Sequence, residues 1–282
     1  MFGFVLCADD FALSAGVSEA ILLLLRHGRL GATGAMTNRN NWAESASRLK
    51  EFDGKADLGV HLNLTCGVSL GVMSSFAPSG ELPSLGRVLR GVLLGHLAIA
   101  EISDEFRRQI DAFAHAMGRE PDFLDGHQHV HAFPRIRNAL FAAVDSLGLA
   151  RRLYVRDPAD RPGAILRRRL GVGKGLVIAS LARGFAGELA ARGIASNAGF
   201  AGIVPFNPRR NYAVDFASFL RAPGERHLVM CHPGLADEEL RRADPVCATR
   251  PKEHEFLASD ALPTLLARYG AKIARFRELQ QG

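Results

Sequence analysis

The stretch Phe2-Gly3-Phe4-Val5-Leu6-Cys7-Ala8-Asp9-Asp10 decides the fold, because an almost wholly apolar run ends abruptly in two adjacent carboxylates. Such a run is typical of a strand buried on both faces of a parallel sheet. A helical pattern follows from about Ser14 to Gly28, a favourable residue just beyond a helix C-terminus. Asp9 and Asp10 therefore lie at the carboxyl end of a first strand, where α/β proteins place ligands and catalytic groups. A simpler alternative, an Asp that caps the helix, accounts for only one of the pair.

Strand-like and helix-like segments alternate along the rest of the chain. The later predicted strands are residues 31–36, 57–64, 123–133, 153–156 and 227–231, and residues 198–204 are predicted as a weak strand or a loop. The predicted helical segments are residues 42–52, 84–117, 134–147, 176–192, 216–220 and 253–279, with interruptions near Gly95 and Pro263. Residues 65–83 are rich in Gly, Ser and Pro and predict a long loop of the kind that is often functional. Repeated βα units predict an α/β fold, a TIM-like and not necessarily regular (β/α) barrel, in a single domain over residues 1–282.

Composition places the chain among ordinary globular proteins. Of its 282 residues, 48% are hydrophobic and 23% are charged, and the four cysteines form no closely spaced pair. We expect a cytoplasmic protein, since the chain leads directly into the buried strand and its cysteines fit a reducing compartment. The net charge of +6 comes mainly from arginine, without interleaved stacking aromatics, so we expect no nucleic-acid partner.

A second group of polar residues lies in three other predicted strands or directly after them. Its members are His61, the spaced set Asp125, His127, His129 and His131, and His232. If residues 123–133 form a regular strand, alternation puts that spaced set on one face. Burying three imidazoles without partners is costly, and a divalent cation is their natural partner. His61 by itself is more typical of an ordinary core residue than of a metal ligand.

Strand geometry limits which histidines share an ion. On a strand, His127 and His131 would be about 13 Å apart at the backbone, so one of them, or a pair two residues apart, reaches a common cation. A carboxylate with two imidazoles leaves positions open for water and substrate, as in catalytic sites. Mixed nitrogen and oxygen ligands suit Zn²⁺, and also cobalt, nickel, manganese or, more weakly, Mg²⁺.

Four ordered motifs resemble those of the YdjC-like carbohydrate deacetylases. They are Ala8-Asp9-Asp10-Phe11, Gly59-Val60-His61-Leu62-Asn63-Leu64-Thr65, Asp125-Gly126-His127-Gln128-His129-Val130-His131 and His232-Pro233-Gly234. The resemblance extends from Phe4 to about Leu262, and residues 197–202 and 226–232 are most similar to the hopanoid-associated members. It implies a (β/α) barrel and metal-dependent hydrolysis of an N-acetyl group on a sugar, with a chitooligosaccharide or an N-acetylglucosaminyl lipid as substrate.

The resemblance also implies residue roles. One divalent cation, Mg²⁺ or Zn²⁺, would be bound by Asp10, His61 and His127, with Asp9 as general base and His232 as general acid. The remaining polar residues of the motifs would contact substrate or support the ligands: Asp125, His129, His131 and Asn63. The sequence departs from the family at Ala12, where glycine is expected, and we expect ordinary φ there.

Alternatives remain open at this stage. The same residues could serve a metal-dependent phosphoesterase, another amidohydrolase, or a sugar-binding relative without activity. Residues 151–183 mix arginines, including Arg156 and Arg167 to Arg169, with aliphatic residues, a pattern that fits peripheral contact with an anionic membrane at its inner face. An ordinary helix with a solvated arginine face explains the same pattern. The expected partners are thus an acetylated sugar or glycolipid, with a homodimer as a further option.

Overall fold

A parallel sheet forms the centre of the fold. The computed structural model describes residues 1–280. The strands are β1 (Phe2–Phe11), β2 (Ala32–Ala35), β3 (Asp57–Leu62), β4 (Phe123–Gly126), β5 (Tyr154–Val155), β6 (Ala195–Ser196), β7 (Phe200–Ala201), β8 (His227–Cys231) and β9 (Ala271–Ile273). Their order is β6-β5-β4-β3-β2-β1-β8-β7, and β9 pairs with the start of β1. All ladders between these strands are parallel, as the alternation of strands and helices predicted.

The sheet is curled. Its edge strands, β6 and β7, are consecutive in the chain, and residues 197–199 alone connect them, so the two edges come close together. Within residues 1–280 no ladder joins β6 to β7. The predicted α/β class is confirmed, and the barrel is open at this one seam rather than a complete ring of paired strands.

Helices cover the outside of the sheet. They are α1 (Ala15–Arg26), α2 (Trp42–Leu49), α3 (Leu85–Leu94), α4 (Ile99–Met117), α5 (Ile136–Ser146), α6 (Pro162–Arg168), α7 (Val172–Leu181), α8 (Phe185–Ala191), α9 (Tyr212–Phe219), α10 (Glu238–Ala243), α11 (Arg250–Ala258), α12 (Ala261–Tyr269) and α13 (Phe276–Leu279). The interruption predicted at Gly95 is confirmed by its left-handed φ of 75° at the end of α3. The interruption predicted near Pro263 is confirmed at Ser259 and Asp260, between α11 and α12, and Pro263 itself fits in the first turn of α12.

Strand β1 is central because both of its faces are buried. Phe4, Leu6 and Ala8 belong to the large core beneath the helices. Val5 and Cys7 point to the opposite side and join a second apolar cluster inside the curled sheet. The apolar run in the sequence is therefore explained by two separate cores, which hold the polar end of β1 in a fixed place.

The predicted strand over residues 123–133 is wrong beyond Gly126. Strand β4 ends there, and His127–Ala132 form a tight 3₁₀ segment with left-handed φ at Gln128 (53°) and His129 (62°). A Cβ on Gly126 would lie 2.6 Å from Nδ1 of His131, so the turn needs glycine at this position. Consequently His127, His129 and His131 do not share one face of a strand.

Candidate metal centre and active site

A bulge at the end of β1 brings both aspartates to one cavity. Ala8 pairs with Thr33 and Phe11 pairs with Ala35, so three steps along β1 oppose two along β2. A bulge of this kind re-aims side chains that would otherwise alternate between faces. Asp10 and Ala12 have left-handed φ of 68° and 69°, and the expectation of ordinary φ at Ala12 is wrong. Such conformations in non-glycine residues cost on the order of 1–3 kcal/mol and tend to occur at functional sites.

Asp10, His61 and His127 converge at the carboxyl ends of β1, β3 and β4. Asp10 Oδ1 lies 3.2 Å from His61 Nε2 and 2.9 Å from His127 Nδ1. One ligand atom from each residue lies within 4.8 Å of the others, and all three residues are buried. This arrangement of one carboxylate oxygen and two imidazole nitrogens can hold a divalent cation.

Asp125 fixes the orientation of His61 from behind. Its Oδ1 lies 2.6 Å from His61 Nδ1, which leaves Nε2 directed at Asp10. Gly34 makes room for this contact, since a Cβ there would lie 3.1 Å from Asp125 Oδ1. Burial alone would lower the pKa of His61, but the charges of Asp125 and Asp9 and the hydrogen bonds raise it to about 10. His61 thus occupies a place that favours positive charge, and a carboxylate behind a ligating histidine is a recurrent device in metal sites.

Asp9 is held by a buried arginine, Arg156. The guanidinium donates to both carboxylate oxygens of Asp9, at 2.7 and 2.9 Å, and lies 2.8 Å from Asp125 Oδ2. Arg156 is fully buried at the end of β5 and also lies over the ring of Phe200. The same guanidinium therefore positions Asp9 and, through Asp125, the imidazole of His61.

A second buried arginine, Arg250, contacts the other side of Asp10. Its Nη2 lies 2.6 Å from Asp10 Oδ2 and 2.5 Å from Asp244 Oδ2. Burial by itself would raise the pKa of Asp10, but Arg250 and His127 hold it well below its usual range. Asp10 is consequently a carboxylate whose two oxygens have different neighbours, imidazoles on one side and a guanidinium on the other.

His232 follows β8 and lies across the cavity from these ligands. Its Nε2 is 3.9 Å from Asp9 Oδ2, and its backbone N–H donates to Glu253 at 2.7 Å. Burial lowers the pKa of His232 to about 4. Its ring therefore rests neutral near Asp9, at a distance longer than a direct hydrogen bond.

The other predicted residues are distributed around this centre. His129 lines the cavity, with its ring edge against Phe200. His131 lies behind the lining, where its Nε2 donates to the backbone oxygen of Arg156 at 2.7 Å. Asn63 is fully buried away from the cavity and accepts hydrogen bonds from the backbone N–H groups of Thr65 and Cys66. It therefore organises the start of the long loop over residues 65–83, which is present as predicted.

The floor of a cavity of about 470 Å³ is formed by Asp9, Asp10, His61, His127 and His232, and its walls are mainly aliphatic. Leu85 and Leu89 come from α3, and Val177, Ile178 and Leu181 come from α7. Lys174 and Phe206 lie at the same cavity, with Lys174 Nζ 4.4 Å from the ring centroid. The site thus combines a charged floor with an apolar wall.

Sequence reasoning missed the two buried arginines of the candidate site, Arg156 and Arg250. Arg156 was counted among the surface arginines of residues 151–183, and Arg168 with it, but both are buried. Arg168 donates to the backbone oxygen of Phe200 and pairs with Asp160, so it cannot serve a membrane-facing surface. The one signal available for Arg156 was its place at the end of a predicted strand. Arg250 had no signal of that kind.

The curled parallel sheet with carboxylates and imidazoles at its strand ends defines an α/β protein with a candidate divalent-metal centre. A family model described as YdjC-like protein matches residues 3–268. The chain belongs to the YdjC-like family, as the four motifs predicted.

Similar proteins match nearly the whole chain. A chitooligosaccharide deacetylase from Serratia marcescens is 29% identical over 273 residues, covering 96% of this chain and 97% of the relative. One from Citrobacter koseri is 30% identical over 276 residues with the same coverage. A crystal structure from Enterococcus faecalis V583, provisionally named a cellobiose-phosphate cleavage protein, has a TM-score of 0.74 at 18% identity, covering 99% of this chain and 98% of that one. That structure supports the fold.

Proposed function

We propose that this chain is a metal-dependent carbohydrate N-deacetylase built as a single domain on an incompletely closed (β/α) barrel. The observation that carries the proposal is the convergence of Asp10, His61 and His127 beside Asp9 at the floor of one cavity. The relatives from Serratia marcescens and Citrobacter koseri, both named chitooligosaccharide deacetylases, support the same reaction. A phosphoesterase remains the second candidate, because a divalent cation with an adjacent carboxylate suits that chemistry too.

The donor set fits one divalent cation. Asp10 Oδ1, His61 Nε2 and His127 Nδ1 would hold it, and Asp125 fixes the His61 ring for this task. His61 lies between two carboxylates that favour a positive charge, which a cation would supply in place of the imidazole proton. When bound, a divalent cation lowers the pKa of water and polarises a carbonyl oxygen. Zn²⁺ and Mg²⁺ both remain compatible with these ligands.

Asp9 is the proposed general base. Asp9 is next to the proposed ligand Asp10 in sequence. Its carboxylate nevertheless points toward Arg156 and His232 and lines the cavity. Two hydrogen bonds from one guanidinium fix the plane of the carboxylate, so proton transfer needs no rotation of the side chain. Positioned general bases contribute roughly 10²–10⁴-fold to rate.

His232 is the proposed proton donor to the departing amine. Since burial keeps its imidazole neutral, it must first receive the proton that Asp9 takes from water. The separation of 3.9 Å between His232 Nε2 and Asp9 Oδ2 is close enough for that relay after a small movement. The proton lost by water then leaves on the amine nitrogen, and Asp9 returns to its ionised form.

The cavity wall favours a substrate with an apolar part. Unmodified oligosaccharides present hydroxyl groups that need polar partners, whereas α3 and α7 offer leucine, isoleucine and valine side chains. An N-acetylglucosaminyl lipid of the hopanoid type matches such a wall better than a chitooligosaccharide does. The hopanoid-associated motif resemblance is consistent with this choice of substrate.

Exposed apolar residues on the same two helices support peripheral membrane contact. Leu93 and Leu94 of α3 are 82% and 55% exposed, and Val177 of α7 is 59% exposed. Arg167 and Arg169 are exposed nearby in the chain, within residues 151–183. Basic side chains near an anionic bilayer each contribute about 1 kcal/mol to binding. We propose that this edge of the cavity rests on the inner face of the membrane. A homodimer is compatible with this membrane contact. Within residues 1–280 no helix has the length and apolar character to cross a bilayer.

Product analysis tests the reaction. Protein loaded with Zn²⁺ or Mg²⁺ is incubated with N-acetylglucosaminyl lipid, chitobiose and a phosphorylated sugar, and released acetate and phosphate are measured. We expect acetate, with the lipid preferred, and roughly a 10²–10⁴-fold loss of turnover in Asp9→Asn while metal content is retained. The exposed Asp111→Asn serves as the matched control. Phosphate release without acetate would replace the deacetylase by the phosphoesterase, and loss of metal in Asp9→Asn would make Asp9 a ligand.

Co-sedimentation with liposomes tests the membrane contact. The parent should bind vesicles that contain anionic lipid, and Arg167→Ser/Arg169→Ser should bind them less. Arg268→Ser/Arg277→Ser removes the same charge from exposed positions on α12 and α13 and should bind like the parent. Equal binding by both double variants would reject docking through residues 151–183 and leave the deacetylase proposal intact.

A further inference from the structure

Arg250 is a buried charge at the metal centre to which the proposed reaction assigns no role. It is 1% exposed and begins α11, far along the chain from β1. Its Nη2 contacts Asp10 Oδ2 and Asp244 Oδ2, and its Nε donates to the backbone oxygen of Val246 at 2.9 Å. Nη1 is buried without a hydrogen-bond partner among the described residues. An arginine is rarely enclosed this completely unless its charge is needed.

The contacts of Asp10 divide its carboxylate into two halves. Oδ1 faces the imidazole nitrogens of His61 and His127, and Oδ2 faces the guanidinium of Arg250. A charge-assisted hydrogen bond of 2.6 Å is strong enough to keep Oδ2 occupied. Only Oδ1 is therefore left for a cation. The same positive charge, held in a poorly solvated place, also repels any cation at Oδ1.

Asp244 also forms an ion pair with the guanidinium of Arg250 and connects it to the cavity wall. It lies between α10 and α11, and it lines the cavity together with Val246. Its Oδ2 contacts the same Nη2 that reaches Asp10, so it neutralises part of the charge that Asp10 experiences. Gly234 permits the close packing, because a Cβ there would lie 3.3 Å from the Cβ of Arg250. The loop after His232 and the start of α11 are thereby fixed to the metal centre.

We propose that Arg250 is a positioning residue that restricts Asp10 to one metal-binding oxygen and weakens cation binding at the centre. Asp244 moderates this effect. A site with less negative charge holds its cation less tightly and leaves it a stronger Lewis acid. The same ion pairs keep Asp10 in its strained backbone conformation when no cation is bound. This inference rests on the proposed metal site at Asp10, His61 and His127.

Zinc titration of chelator-stripped protein tests the proposal. Calorimetric titration with ZnCl₂ is run on the parent, Arg250→Met, Asp244→Asn and the exposed control Arg241→Met, whose only ion pair among residues 1–280 is with Glu238 on the surface. Arg250→Met should bind Zn²⁺ about tenfold or more tightly, since a repelling charge is gone. Asp244→Asn should bind it several-fold more weakly, and Arg241→Met should match the parent. The stripped Arg250→Met protein should also melt at a lower temperature than the stripped parent, with the difference reduced after zinc is added.

The double variant Arg250→Met/Asp244→Asn separates a direct effect of Asp244 from one that acts through Arg250. If the arginine mediates it, Asp244→Asn should change zinc affinity much less in the Arg250→Met background. Equal or weaker zinc binding by a folded Arg250→Met variant overturns the proposal. Should Arg250→Met fail to fold, unchanged affinity in Asp244→Asn overturns it instead. If the parent binds neither zinc nor magnesium, the proposed metal site itself is refuted. That result differs from the failure of the role proposed for Arg250.

Discussion

Replacing Arg156 by methionine should destabilise the protein severely while leaving its apolar cores intact. The guanidinium is fully buried and makes three contacts of 2.7–2.9 Å with Asp9 and Asp125. Removing one partner of a buried ion pair costs about 3–5 kcal/mol, because the remaining charge is left without compensation. Two carboxylates lose their partner here, so we expect the upper end of that range. Typical domains have about 5–15 kcal/mol of stability, so the variant should fold but unfold at much lower urea concentration.

Urea unfolding measures this effect, with Trp42 fluorescence and circular dichroism as probes. A chelator is added so that bound metal does not compensate for the lost charge. Arg152→Met is the matched control, because Arg152 pairs with Glu120 at 2.6 Å while 61% exposed. Exposed pairs contribute about 0–1 kcal/mol, so the control should stay close to the parent. Adding Asp125→Asn to Arg156→Met should restore part of the stability. A loss below about 1 kcal/mol in Arg156→Met would refute the view that this charge is needed to keep the carboxylates buried.

Two further changes test the ligand choice and the pH dependence. His127→Ala should abolish tight zinc binding and His131→Ala should keep it, since of these two histidines His127 reaches Asp10 and His131 does not; the reverse result in metal analysis would assign the ligand to His131. Burial raises the pKa of Glu253 from 4.5 to about 7, partly offset by the backbone N–H of His232, so the folded state retains a proton that the unfolded state releases. Stability should therefore fall as pH rises from about 4.5 to 7, by about 3 kcal/mol from this group, and this fall should be missing in Glu253→Gln. Parallel stability curves for the parent and Glu253→Gln would contradict it.

Local sequence patterns were sufficient to predict a strand where one short run of apolar or buried residues decides the structure. Strand β8 has the predicted bounds, His227–Cys231, because five apolar or buried residues stand between turns. Strand β1 was recognised in the same way, and Asp9 and Asp10 lie at its carboxyl end as expected. The sequence pattern could not predict the bulge after Ala8, because the bulge depends on pairing with β2. That bulge, together with left-handed φ at Asp10, sets the final directions of Asp9 and Asp10.

The histidine set was misread for an identifiable reason. Spacing of two residues in an apolar context matches a strand, and nothing in the letters records that β4 ends at Gly126. The turn depends on contacts made elsewhere, including the bond from His131 to the backbone of Arg156, directly after β5. Once the chain turns, the three imidazoles reach three different environments, and the limit calculated for a strand no longer applies. His127 alone joins Asp10, and His129 remains in the cavity lining.

The electrostatic balance of the centre was beyond sequence reasoning, and it supports the proposed cation site. Arg156 meets Asp9 across 147 residues of chain, and Arg250 meets Asp10 across 240, so only the folded sheet brings each pair together. Apart from the place of Arg156 at the end of a predicted strand, nothing local separates these arginines from the exposed Arg152 or Arg167. The centre contains four carboxylates, those of Asp9, Asp10, Asp125 and Asp244, against two guanidiniums. With neutral imidazoles this leaves two negative charges in a buried place, equal and opposite to the charge of one divalent cation, and buried charge without compensation is strongly unfavourable. In the absence of the cation, the raised pKa of His61 supplies part of that compensation. Metal binding and loss of the His61 proton should therefore be coupled, and the arginines determine how much charge the metal has to provide.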